Sequence, residues 1–156
     1  MSLKSIIGLL RCHDLFAGLA EARLEVIAFT AERQIFEAGE LIFEAGEEGH
    51  EALLILAGDA EMDGQAIGAG DLIGEAALLT QGPDGPLRRA SFRARTRVEA
   101  LAVSRYLFQR LMEEFPEMAG TVAAALTRRL AQTTQEMNFL VRDMGALQTK
   151  RENGKN

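Results

Sequence analysis

Apolar positions change their rhythm three times along the chain, and each change marks a different kind of element. From Leu3 to Phe29 they return every three or four residues, at Ile6, Ile7 and Leu10, then Leu15, Phe16 and Leu19, then Leu24 and Ile27. That spacing is the buried stripe of short amphipathic helices, with Asp14 and Thr30 standing where caps or stops belong. Between Glu32 and Val103 the helical period gives way to short runs, Leu41-Ile42-Phe43, Leu53-Leu54-Ile55-Leu56 and Ala100-Leu101-Ala102-Val103, separated by glycines at nearly regular intervals from Gly39 to Gly74. Such runs, cut by turn residues, predict short antiparallel strands that close at glycine corners. Thr80–Leu87 holds Gly82, Pro83, Gly85 and Pro86, which exclude regular structure and predict a surface loop.

After Ser104 the helical period returns through Tyr106, Phe108, Leu111, Met112 and Phe115, up to a break at Pro116. A second helix is predicted from about Glu117 to Leu147. Along it Leu126, Leu130, Thr133, Met137, Leu140, Met144 and Leu147 follow a four-three spacing, the seam of a two-stranded coiled coil. Left unpaired, the six large apolar side chains of this seam, all but Thr133, would form a larger exposed patch than a soluble monomer usually tolerates, so the helix predicts a parallel homodimer. The fold expected is α+β and mainly β: an antiparallel β-roll (double-stranded β-helix or jelly roll) with N-terminal helices and a long C-terminal helix. One domain spans residues 1–150, including the dimerisation helix at about 117–147, and 151–156 is a polar tail.

Composition narrows the function more than the fold. The 156 residues are enough for one real core and leave no room for a second domain. A formal net charge of −6 argues against direct nucleic-acid binding, which rests on clustered Lys and Arg. No apolar run is long enough to cross a membrane, the start does not read as a signal peptide, and Cys12 alone cannot form an internal disulfide. The expected compartment is the cytoplasm. Lys150–Asn156 is a short polar tail without a helix-turn-helix, so output through DNA is not expected of these residues.

No nucleophile–base pair is visible, and Cys12, His13 and His50 are too scattered to be ligands, so neither catalytic nor metal-binding residues are assigned and an enzyme is not expected. A cupin-like metal enzyme would need clustered histidines. Arg93, Arg95 and Arg97 alternate like the solvated face of a strand. The informative stretch is Gly70-Asp71-Leu72-Ile73-Gly74-Glu75-Ala76-Ala77-Leu78-Leu79, then the loop, then Arg88-Arg89-Ala90-Ser91-Phe92-Arg93-Ala94. It supplies a glycine that lets backbone approach a ligand, a turn whose N–H groups can face phosphate, and an arginine from the next strand. Arg88 offers a planar pair of donors to phosphate oxygens, whereas Glu75 accepts from ribose hydroxyls and repels phosphate.

On these residues, together with Gly46 in Glu44-Ala45-Gly46-Glu47 and Gly58 in Ala57-Gly58-Asp59, the chain resembles the cyclic-nucleotide-binding domains of catabolite activator proteins and protein kinase A regulatory subunits. The resemblance implies a non-enzymatic sensor with a cyclic nucleotide as ligand, cyclic AMP in preference to cyclic GMP. It assigns Glu75 to the ribose 2′-hydroxyl, the Gly74 and Ala76 backbone to the ligand, and Arg88 to the cyclic phosphate, with Ala90 beside it. Arg89 departs from the small residue usual there and can still offer its backbone N–H. Arg128-Arg129-Leu130-Ala131-Gln132-Thr133-Thr134 resembles a helix segment that reaches the adenine across the dimer, which gives Thr133 and Thr134 base recognition. The Glu61–Ala66 hairpin is shorter than in catabolite activators and the Thr80–Leu87 loop somewhat longer. Two alternatives remain open at this point: a dimerising roll that binds another effector, and the effector domain of a longer transcription regulator.

Overall fold

The computed structural model describes residues 1–80 and 84–128. Three helices open the chain: α1 (Leu3–Arg11), α2 (Asp14–Ala17) and α3 (Glu21–Thr30). Ser2 caps α1, its hydroxyl accepting from Ser5 N. Asp14 is the first residue of α2 behind the N-cap His13, and the Thr30 hydroxyl at the end of α3 donates back to the Val26 carbonyl. The predicted signals at these two positions thus fall within a residue of the helix ends.

Eight strands follow: β1 (Glu32–Phe36), β2 (Leu41–Phe43), β3 (Glu51–Ala57), β4 (Ala60–Met62), β5 (Gln65–Ile67), β6 (Leu72–Ile73), β7 (Phe92–Ala94) and β8 (Val98–Ser104). They form two four-stranded antiparallel sheets, ordered β1-β8-β3-β6 and β2-β7-β4-β5. This is the α+β β-roll expected. β3 and β8 are apolar on both faces because they are covered on both. Leu53, Ile55, Val98, Ala100 and Ala102 point into the layer between the sheets, where they meet Phe43 and Phe92. Ala52, Leu54, Leu56, Leu101 and Val103 point the other way, into a second core filled by helices.

That second core ties the helical ends of the chain together. Leu10, Phe16, Leu24 and Ile27 meet Phe108 and Leu111 there, with Phe16 and Phe108 edge to face at 6.0 Å. α5 (Arg105–Glu114) starts at Ser104, whose side chain accepts from Leu107 N. The helix ends at Glu114 with Phe115 as its C-cap, and Pro116 opens the next helix, α6 (116–128), rather than standing outside it. Proline suits that first position because its missing N–H would have no intrahelical partner there. Met118, Val122 and Ala125 of α6 are buried. Leu130 and the rest of the predicted coiled-coil seam lie outside the described residues.

One element was not expected. Between β6 and the 80–87 loop the chain makes a single helical turn, α4 (Ala76–Leu79), where the sequence indicated only a turn. Four residues are too few to show a helical period.

Candidate ligand site

Gly74 ends β6 with φ of +79°, a conformation open to glycine at little cost, and turns the chain into Glu75 and α4. Arg88 comes from the other side, after the loop. Its N–H donates to the Glu47 carbonyl at 2.7 Å and its carbonyl accepts from Gly46 N at 2.8 Å, so the residue rides on a fixed strip of backbone. A further bond from Gly49 N to the Pro86 carbonyl and a bridge between Glu48 and Leu87 fasten the loop's end to the 44–49 turn.

The two segments enclose a cavity of about 550 Å³ lined by Gly74, Glu75, Ala76, Ala77, Arg88, Arg89 and Ala90. All six residues proposed from the sequence for the roll therefore share one wall system, across which Glu75 and Arg88 bring opposite charges. Thr133 and Thr134 lie outside the described residues. The cavity also takes in Phe43, Ile73, Pro86, Leu87 and, from the β4–β5 hairpin, Met62, Asp63 and Gln65. Sequence reasoning missed these. Met62 arrives by cross-strand pairing with Phe92 and Gln65, a register no local pattern encodes.

Arg88 is half-buried, and its Nη2 donates to the Glu51 carbonyl at 2.8 Å. Burial lowers its pKa from the ordinary arginine value, while the nearby Glu51 and Glu47 carboxylates pull it back up; a guanidinium stays charged in either case. Arg89 is exposed. The other arginines of this region are engaged outside the cavity: Arg93 donates to the Gly39 carbonyl, Arg95 pairs with Glu61 and Arg97 with Glu37. They are exposed, as their alternation predicted, although β7 itself ends at Ala94.

The far end of α4 is held as firmly as its start. The buried Arg105 donates from Nε to the Thr80 carbonyl at 2.9 Å, and Gln109 adds a second bond to the same oxygen at 3.2 Å. Among the described residues no helix is long and apolar enough to cross a membrane, and no three metal-ligating side chains cluster.

The two-sheet roll thus presents a carboxylate, Glu75, and a guanidinium, Arg88, to one cavity. Residues 33–115 match the cyclic nucleotide-binding domain family, and the chain belongs to that family. It is 31% identical over 136 residues to the cyclic AMP receptor protein of Thermus thermophilus, a match covering 81% of this chain and 61% of the receptor. The chain thus spans about three fifths of that curated relative. Among solved structures it is similar to the N-terminal domain of a transcriptional regulator from Streptomyces coelicolor A3(2), with a TM-score of 0.72 and 27% identity over 83% of this chain and 94% of that one. The catabolite activator protein of Thermus thermophilus gives a TM-score of 0.62 and 30% identity, over 82% of this chain and 63% of the other.

Proposed function

We propose that this domain is a non-enzymatic sensor that binds cyclic AMP between the Gly74–Ala77 turn and Arg88 and answers by repacking its helices. The observation that carries the reading is the meeting of Glu75 and Arg88 in one cavity, within the common size range of small-molecule sites of about 300–1,000 Å³. Arg88 takes the cyclic phosphate, Glu75 the ribose 2′-hydroxyl, and the backbone at Gly74, Ala76, Arg89 and Ala90 completes the cradle. Thr133 and Thr134 supply the base contacts, which makes the preference for cyclic AMP over cyclic GMP a property of the last helix.

The signal leaves through α4. A ligand that draws on the Gly74–Ala77 turn pulls on Thr80, which Arg105 and Gln109 tie to α5, and α5 leads directly into α6. Ligand contacts that differ between two helix positions shift their populations, which is what coupling requires. A dimer through the last helix, in a cytoplasmic regulator, completes the reading.

Arg89 favours a second reading, in which the effector is a different phosphate carrying more negative charge, because a second guanidinium borders the cavity. Titration calorimetry with cyclic AMP, cyclic GMP and AMP separates the two. Tightest binding of cyclic AMP, with its lead over cyclic GMP lost in a Thr133→Val/Thr134→Ala variant, is expected. Tighter binding of AMP would favour the second reading, and no heat with any of them would refute the first.

A further inference from the structure

We propose that Phe43 is a positioning residue for the anion end of the cavity: its ring holds the Arg88 guanidinium in a socket that exists before any ligand arrives. Only the binding arm of this inference rests on the cyclic-nucleotide reading.

An arginine at the end of a loop ordinarily samples many rotamers, and a ligand that uses it must freeze them. Arg88 is already confined on several sides. Its Cζ lies 4.2 Å from the Phe43 ring centroid, so the cation sits over the electron-rich face. Nη2 is committed to the Glu51 carbonyl at 2.8 Å. A Cβ at Gly49 would come within 2.8 Å of Cζ, and one at Gly74 within 2.1 Å of Nη1, so these two glycines form the walls on which the group rests.

The platform itself is rigid. Phe43 is 9% exposed, belongs to the layer between the sheets, and tilts against Phe92 at 5.3 Å and 45°. Phe92 is the partner of Phe43 in the β2–β7 register and lies four residues after Arg88, so the strand that follows the arginine also fixes the ring beneath it. The ring's negative face further offsets the loss of hydration that burial imposes on the cation. A leucine would fill much of the same core volume and offer no such face.

The bland role of Phe43 is core packing alone, and a double-mutant cycle distinguishes the two. With cyclic AMP as probe, Phe43→Leu should weaken binding roughly three- to thirtyfold, the range of a partly buried cation–π contact, whereas Phe43→Tyr should bind within about twofold of wild type because its ring keeps the face. In an Arg88→Gln background, Phe43→Leu should cost nothing further. Equal losses in both backgrounds would show that Phe43 acts through stability and overturn the proposal. A second measurement needs no ligand: the Arg88 side-chain proton resonances of the free protein should carry a ring-current shift, kept in Phe43→Tyr and lost in Phe43→Leu. A free protein lacking that shift would overturn the socket. A wild-type chain that shows the shift and binds no cyclic nucleotide would instead sink the functional reading and leave the socket standing.

Discussion

A methyl group at Gly74 would stand 2.1 Å from Arg88 Nη1 and 3.2 Å from the Glu51 carbonyl, on backbone with φ of +79°. Gly74→Ala therefore carries the left-handed backbone cost of about 1–2 kcal/mol and also drives the guanidinium from its bond to Glu51. The expected outcome is a melting temperature lower by roughly 2–8 °C and cyclic AMP affinity reduced by about tenfold, the worth of one charge-assisted hydrogen bond. Gly58 is the control. It has φ of +96° and an added Cβ would lie 2.1 Å from the Arg97 carbonyl, but it does not line the cavity. Gly58→Ala should therefore lower the melting temperature and leave affinity intact. Loss of affinity in both, or in neither, would break the link between Gly74 and the ligand. At this scale the sequence announced that Gly46, Gly58 and Gly74 matter, since three glycines at turns could be matched as a set. It could not say that Gly74 makes room for Arg88 and Gly58 for the Arg97 carbonyl, because both neighbours arrive through tertiary structure, whereas at Gly46 an added Cβ would meet nothing within 4 Å and only the φ of +91° favours glycine.

Among the elements, the buried strands were the most legible. Leu53-Leu54-Ile55-Leu56 shows no alternation because the strand is covered by the second sheet on one face and helices on the other. α4 was the least legible, being one turn long, and its stability comes from its anchors rather than from propensity. Arg105 is the principal anchor, and nothing in the pattern distinguished it from the exposed arginines of helix surfaces. Arg105→Met keeps an unbranched apolar stem and removes a charged donor from the Thr80 carbonyl, at a cost of about 1.5–3 kcal/mol. We expect thermal unfolding earlier by roughly 3–12 °C, with faster hydrogen exchange concentrated at Ala76–Thr80. Unchanged exchange there would mean that Arg105 does not hold α4. The β4–β5 hairpin was placed at Glu61–Ala66 by the resemblance, and its turn is built on Asp63-Gly64, with Asp63 at φ of 51°. Its place at the cavity was not legible.

For the whole molecule, the last helix divides into a part packed on the roll and a part with the pattern of a dimer seam. Its described part is an ordinary core element, with Met118, Val122 and Ala125 buried and Leu126 packed half-buried at the edge of the core. The four-three spacing continues through Leu130, Thr133, Met137, Leu140, Met144 and Leu147, and we propose that this stretch pairs two copies of the chain in parallel. Leu140→Asp with Met144→Asp should give a monomer in sedimentation equilibrium while circular dichroism keeps the signal of the roll. A wild-type monomer at tens of micromolar would refute the dimer. The roll could be read from the sequence as a class because its turns are chemical, made of glycine and proline, whereas the strand order and the meeting of two distant loops follow from pairing registers. The most direct test of the central claim is the affinity of Arg88→Ala for cyclic AMP, measured by calorimetry beside wild type and Arg89→Ala. Truncating one member of a desolvated charge pair costs about 2–5 kcal/mol, so Arg88→Ala should bind roughly two to three orders of magnitude more weakly while Arg89→Ala stays close to wild type. An Arg88→Ala variant that folds and binds cyclic AMP as tightly as wild type would contradict the account.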